Sequence, residues 1–581
     1  MVSKIQLNDV NFDAFECVKD KYNRMVDGIS HGRAIYFDPQ AQLYYKIFHP
    51  DYCRIDNFRK AINTNFFDGL SPALTGLIYD SDTLVGYVTK AGPLLSANEF
   101  DYHLIPQDFF RILKNRIKES GMFFYDLVPH NIILIDGEPS LIDLESVYDL
   151  SEYNNLSKHN ATVKPVELDE YINEIRSIIP MKISLIQPGR NNLKYLKWSY
   201  DSIRKNQGKH EVEICVADDA STDGTWKWCL EMMHEDPNFK AIRNEGPERL
   251  GHTILYDRLV NDVATHDICM IYHADMYLCP NALDYVKELI SPKTIVSLTR
   301  IEPPLHPPGP EKVLQDFGIE PEEFDEDALF AYLQATDIER EHKTTEGIFA
   351  PWAFYKKDFQ EIGGHDPLYA PQSKEDTDIF NRFQLNGVKF IQTWGGCVYH
   401  MTCRGSRFAD GAKRNPNGEV FMKNRETDEW LNQNQKATRN FIRKWGHFCK
   451  HDTLLKPIIP SKYDIGFILK DNNIDILRAL EPWCSTIYCD LHLGKHYIVT
   501  EQPNTIMDLS ERVKPYDNEK QNEILVTIDG NKFNQQDFGY IQQLSEILSD
   551  SGEPGFHGEL GNITVEIFEN MNTYEKTLIK C

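Results

Sequence analysis

Residues 211–225 read EVEICVADDASTDGT, and the largest part of the fold can be worked out from this stretch. Its apolar run, Val212 to Ala217, predicts a buried strand that ends in two adjacent acids, Asp218 and Asp219. Carboxylates at the carboxyl end of a parallel strand face the crevice where open α/β sheets bind ligands. The Ser-Thr-Asp-Gly that follows is turn chemistry and starts a helix. Upstream, KISLIQPGRNNLKYLKWSYDSIRK (182–205) reads as a buried strand, a turn and an amphipathic helix. Downstream, DICMIYHADMYLCP (267–280) reads as a third strand carrying His273-Ala274-Asp275. Alternation along that strand would put His273 and Asp275 on one side, available to a single ligand. From Met181 to about Gly446 the strand–helix–strand order predicts an α/β domain.

Further on, EGIFAPWAFYKKDFQEIGGHDPLYAPQSKEDTDIFNRFQLNG (346–387) predicts strand, helix, loop and helix, with Glu375-Asp376 opening the last helix. Taken in order, strand-PGRNN, VADDASTDGT, the DxD-like HAD and the Glu-Asp pair resemble the GT-A glycosyltransferases of family 2, over roughly Met181 to Phe408. The resemblance implies a Rossmann-like mixed sheet and a metal-dependent, inverting transfer of a sugar from a nucleoside-diphosphate sugar, UDP- or GDP-linked, to a hydroxyl of a glycan or glycoprotein. It assigns Pro188, Arg190, Asp218, Asp219 and His273 to the donor, with Asp219 on the base. It assigns Asp275 to a manganese or magnesium ion, Asp376 to the general base and Glu375 to orienting that base. His273 stands where the family has an acid, although imidazole can also donate a hydrogen bond or ligate manganese. In FIQTWGGCVYHMTCRGSRF (390–408), His400 matches a third metal ligand of several members of the superfamily. Residues 404–444 hold ten basic side chains against five acids. Arg404 and Arg407 are therefore candidates to grip the leaving diphosphate from a closing loop, with a solvated helix face as the alternative for Arg439, Arg443 and Lys444.

The amino-terminal residues have a different texture. HGRAIYFDPQAQLYYKIFHP (31–50) predicts a hairpin with Lys46 near the end of its second strand, and TLVGYVTKAG (83–92) another strand. After the helix QDFFRILKNRIKESG comes MFFYDLVPHNIILIDGEPSLIDLES (122–146). Asp126, Asn131 and Asp143 in that segment, with Lys46, resemble the catalytic core of the protein-kinase-like fold. That implies a kinase-like α+β domain with ATP as a ligand, either active or a degenerate scaffold. Phe124-Tyr125 and Asp143-Leu144-Glu145 depart from the usual His-Arg and Asp-Phe-Gly. No glutamate between Lys46 and Pro72 is available to pair the lysine.

The expected organisation is a kinase-like domain (1–155), a linker (156–180), a GT-A domain (181–450) and a small C-terminal α/β domain (451–581) of unassigned role. Strand candidates in the last are YDIGFILK, STIYCD, HYIVT and EILVTID. Residues 302–330, with eight carboxylates between Glu311 and Asp327, predict an exposed acidic elaboration or a lid. With 88 acids and 62 bases among 581 residues, the formal charge of −26 argues against nucleic acid as a partner. No run approaches a membrane span. The twelve scattered cysteines match no zinc pattern, so a cytoplasmic protein with reduced thiols is expected. The fused architecture resembles one that large viruses and phages use to glycosylate surface components. Two alternatives to a transferase are a non-catalytic nucleotide-binding scaffold and a sugar nucleotidyltransferase. The second lacks its glycine-rich loop, since PGRNNLKYL stands in its place.

Overall fold

The computed structural model describes residues 2–19, 25–26, 29–30, 33–48, 55–96, 104–124, 127, 129–155, 180–402, 404, 411–471 and 473–581. The chain divides into two compact units, Met1–Pro180 and Met181–Cys581.

In the first unit a six-stranded sheet runs in the order Ser3–Gln6, Leu74–Asp80, Thr83–Lys90, Leu43–Phe48, Arg33–Asp38, Glu16–Lys19. All neighbours are antiparallel except the first pair. The predicted hairpin forms as Arg33–Asp38 and Leu43–Phe48, and places Lys46 on an inner strand. Helix Gln107–Ser120 stops at Gly121, whose φ of 67° lets its N–H close on Ile117 O. Phe58, Phe66, Phe109, Tyr87 and Leu113 form the core beneath the sheet.

The second unit is built on a ten-stranded mixed sheet. Its main path runs Phe239–Asn244, Glu211–Asp219, Lys182–Gly189, Ile268–Ile271, Trp352–Tyr355, Thr294–Glu302, Lys389–His400, Met276–Leu278. The first four strands are parallel, so the carboxyl ends of Lys182–Gly189 and Glu211–Asp219 open on one edge, as the apolar runs predict. The stretch 267–280 is not one strand. Ile268–Ile271 stops, Tyr272 N–H makes a last bond to Ile186 O (3.0 Å), and Met276–Leu278 pairs antiparallel with Lys389–His400 at the far edge. His273 and Asp275 therefore sit in the turn between two strands, and strand alternation does not bring them together.

A second, six-stranded sheet in this unit has the order Val513–Pro515, Thr486–Cys489, Ile465–Lys470, Ile524–Asp529, Ile563–Ile567, His557–Leu560. HYIVT, read as a strand for its β-branched residues, lies inside helix Leu491–Glu501. Asp490 caps that helix by accepting from His492 N (2.9 Å) and Leu493 N (3.0 Å), and Tyr497 is buried in the core. The cap and the packing override the local propensity.

Helix Asp428–Trp445 lies against this sheet's helices through buried charge. Arg443, with no exposed side-chain surface, meets Glu481 at 2.8 Å and Glu501 at 2.5 Å. Burial opposes ionisation of Glu481, but Arg512 and Arg443 hold it down at about 2. Arg443→Leu strands Glu481 with one cation fewer, so a loss of about 3–5 kcal/mol is expected in urea unfolding. Among the described residues no helix is long and apolar enough to cross a membrane.

Candidate active site

Two turns at the carboxyl edge of the large sheet are tied together. Asn191, at φ 54°, donates its N–H to Ser221 Oγ (2.8 Å) and accepts from Thr222 N (2.8 Å). Asp223 accepts from Leu193 N (3.0 Å) at the start of the following helix. PGRNN and STDGT are thus one structural unit, with Pro188 buried and the Arg190 guanidinium making no bond among the described residues. Asp219 accepts from Asn244 Nδ2 (2.7 Å), Leu250 N (3.0 Å) and Gly251 N (3.0 Å). Against burial, these donors and Arg249 keep its carboxyl below the usual range. These bonds tie Asp219 to the 244–251 loop. Asp218 accepts from Ser221 N (3.1 Å), while its buried Oδ2 lies 3.5 Å from Arg243 Nε without a hydrogen bond.

Gly251 begins helix Gly251–Arg258 at φ 76°, and a Cβ there would sit 2.1 Å from Pro371 O. Only glycine permits this approach, which docks the loop that Asp219 holds onto the segment leading to Glu375.

One ligand atom from each of His273, Asp275 and His400 falls within 4.8 Å of the others. The pairing of Met276 with His400, and of Met401 N with Asp275 O (3.1 Å), sets Asp275 beside His400 across the sheet edge. His400 Nε2 is 3.3 Å from Asp275 Oδ1, and His400 Nδ1 is 2.9 Å from Glu302 Oε1. Glu302 is fully buried and also meets Arg300 (2.9 Å) and Lys312 (3.4 Å). Burial works against a charged imidazole, but Asp275 and Glu302 outweigh it and hold His400 at about 9. His273 is pushed down to about 3 by burial and then by the His400 charge. One carboxylate and two imidazoles, with a carboxylate behind one ring, suit a manganese ion better than magnesium, which favours oxygen ligands.

Glu375-Asp376 opens helix Glu375–Leu385 after two residues with positive φ, Ser373 and Lys374. Glu375 is buried with Oε2 unpartnered, and burial followed by the Asp376 charge pushes it up to about 8. Burial also raises Asp376, although His365 opposes that rise. Tyr256 lies in the field of Asp376, Glu375 and Asp275, and its buried ring stacks on His365 at 5.4 Å. His252 feels both Asp219 and Asp275. The structure thus brings the second-strand acids, the three-ligand cluster and the Glu-Asp pair around one helix, Gly251–Arg258. Glu302, Tyr256, His252 and the His365–Asp257 pair (2.7 Å) were not read from the sequence. The available signal for Glu302 was an acid closing the β-rich run TIVSLTRIE (294–302).

The folded pKa of Glu375 lies above its unfolded value, so its stabilisation is complete below the ordinary carboxylate range and is lost as pH rises to about 8. Glu375→Gln is therefore expected to melt with wild type at pH 5 and several degrees above it at pH 8.5, by differential scanning fluorimetry.

Five of the basic residues after His400, Arg404, Arg414, Arg439, Arg443 and Lys444, meet acids. Arg404 pairs with Glu320 (3.5 Å) from the acidic insertion, and Arg414 with Asp316 (2.6 Å) and Glu323 (3.1 Å). Lys444 bridges Asp366 and Asp378, each at 2.7 Å. The insertion packs onto helix Leu193–Asn206 through Lys194–Glu320 (2.7 Å) and through Lys205 and Glu326 (2.5 Å). Arg407 lies outside the described residues. In the first unit, Lys46 Nζ meets Asp143 Oδ1 (2.7 Å) and Ile142 O (2.8 Å), and Asn131, also buried, accepts from Ile142 N through its carbonyl (3.1 Å). Asp126 lies outside the described residues.

Residues 184–362 match the family model described as Glycosyl transferase family 2, less than half of the chain. Among solved structures the chain is similar to the mannosyltransferase PcManGT from Pyrobaculum calidifontis in complex with GDP-Man and Mn2+, at 18% identity over 39% of this chain and 58% of that one, TM-score 0.28. It is also similar to GalNAc-T7 with UDP, GalNAc and Mn2+, at 13% identity over 38% and 43%, TM-score 0.29. A third is S. aureus TarS, at 15% identity over 38% and 36%, TM-score 0.28. Each match spans less than two thirds of the other protein's length. No curated protein matches.

Proposed function

We propose that residues 181–450 form a metal-dependent, inverting glycosyltransferase domain that moves a sugar from a nucleoside-diphosphate sugar to an acceptor hydroxyl. The observation that carries this reading is the convergence of a three-ligand cluster and a buried carboxyl pair on one helix, Gly251–Arg258, which lies in the segment that matches the family 2 model, with His400 and the pair beyond its end. His273, Asp275 and His400 would hold a manganese ion, which when bound neutralises charge on the departing diphosphate. Asp219, with Asp218 adjacent, would hold the base of the donor at the strand end that also anchors the 244–251 loop. Asp376 accepts the proton of the acceptor hydroxyl as the new bond forms opposite the leaving group. Burial and then the Asp376 charge push Glu375 up to about 8, so the adjacent acids do not both ionise readily and the pair takes up and releases protons as a unit. Incubating the protein with a panel of nucleotide sugars and manganese should release nucleoside diphosphate, and EDTA should stop it. A panel in which no donor is turned over sinks the reading.

For the first unit we propose an accessory ATP site of protein-kinase-like type within residues 1–155, joined by 156–180 to the transferase region (181–450) and the C-terminal module (451–581). Its support is Lys46 on an inner strand with antiparallel neighbours on both sides, paired with Asp143. Asp143→Ala should abolish ATP binding in calorimetry while nucleotide-sugar turnover is retained.

A further inference from the structure

Helix Asp428–Trp445 turns one face toward the Glu-Asp segment and another into an open groove of about 410 Å³. The groove face repeats at helical spacing, Leu431, Asn434, Gln435, Thr438 and Ile442, and spans about 16 Å. Opposite it lie Phe448, Trp483 and Phe538, with Phe448 edge-on to Trp483 at 4.9 Å. Phe448 is 39% exposed and Leu431 45%, so an apolar surface faces solvent there.

The polar groups of the groove are of one kind. The side-chain amides of Gln435 and Gln542, and Nδ2 of Asn434, make no hydrogen bond among the described residues. The one charged lining residue, Arg439, is already committed to Glu501 (2.9 Å) and Tyr497 (2.8 Å). A groove of unspent amides and aromatic edges without free charge does not suit phosphate or an acidic peptide. It does suit a neutral saccharide, whose hydroxyls take amide bonds and whose C–H faces cover apolar rings.

Its position ties it to the chemistry. Asn434 Oδ1 accepts from Ser373 Oγ (2.8 Å), and the neighbouring Gln433 donates to Gln372 O (3.1 Å). Ser373 is three residues from Asp376, hence within about 11 Å along the chain. We propose that this groove binds the neutral oligosaccharide part of the acceptor, away from the hydroxyl that reacts. The inference rests on the transferase reading for its role, but not for its binding test.

Saturation-transfer difference NMR on the full chain would use neutral gluco-, manno-, galacto- and N-acetylglucosamine oligosaccharides, from disaccharides to hexasaccharides. At least one series should show transfer that strengthens with length. Gln435→Ala and Phe448→Ala should each weaken that binding about tenfold, a change of about 1.4 kcal/mol, while metal-dependent donor hydrolysis is unchanged. Saturation transfer to none of the series, or variants that bind as wild type does, overturns the proposal. So does concentration-dependent dimerisation lost in Phe448→Ala without saccharide binding, which would give the groove to a second copy. Saccharide binding lost in the variants, in a protein that hydrolyses no donor, would uphold the groove and reject the transferase reading.

Discussion

Asp376→Asn is expected to lower sugar transfer by about 10²–10⁴-fold while the affinity for the nucleotide sugar stays within a few-fold of wild type. The substitution is nearly isosteric and removes only the capacity to accept a proton. The adjacent Glu375 cannot take over, because burial and the Asp376 charge push it up to about 8. The variant relieves that repulsion, so Glu375 should ionise more readily, yet it remains buried with Oε2 unpartnered. Single-turnover transfer and calorimetric titration of the donor separate the two effects. Equal losses in donor affinity and transfer would move Asp376 from base to binding residue. Transfer by wild type should fall on the acid side as the pair takes up its second proton, and that limb should be missing in the variant.

Asp275→Ala is expected to weaken manganese binding by at least about 100-fold and to abolish nucleoside-diphosphate release even with excess metal. The substitution removes the one carboxylate of the cluster and leaves two imidazoles facing each other at 5.6 Å between ring centroids. It also takes away the stronger of the two charges that hold His400 up at about 9, so the remaining ring loses its anchor. Glu302→Gln supplies the graded comparison. It touches His400 from behind at 2.9 Å, so a loss of about 10–100-fold in metal affinity is expected. Electron paramagnetic resonance of free manganese reads both variants without requiring turnover. Wild-type affinity in Asp275→Ala would remove the cluster from the mechanism.

Much of the architecture could be read from local pattern. The buried strands Lys182–Gly189 and Glu211–Asp219, the acids at the end of the second, the N-terminal hairpin and the Glu-Asp helix start all form where periodicity and turn chemistry place them. The stretch 267–280 and HYIVT differ, because a run of apolar or β-branched residues does not say where pairing stops or whether an upstream Asp caps a helix. The basic stretch after His400 suggested a diphosphate clamp. In the fold, Arg404 and Arg414 meet acids of the 302–330 insertion, and those pairings span roughly a hundred residues of chain.

The sequence by itself determined the elements and the residue types: which runs are buried, which acids end strands, and which pair opens a helix. Those properties depend on neighbours a few positions away. Only the tertiary structure decided which of these residues share a site and in what protonation state. His400 reaches Asp275 because two distant segments pair at a sheet edge, and Glu302 reaches His400 from the end of another strand. Glu375 rises to about 8 because packing removes water from it and sets a second charge beside it. Burial and charge–charge interaction depend on distance through space, and chain spacing does not encode that distance.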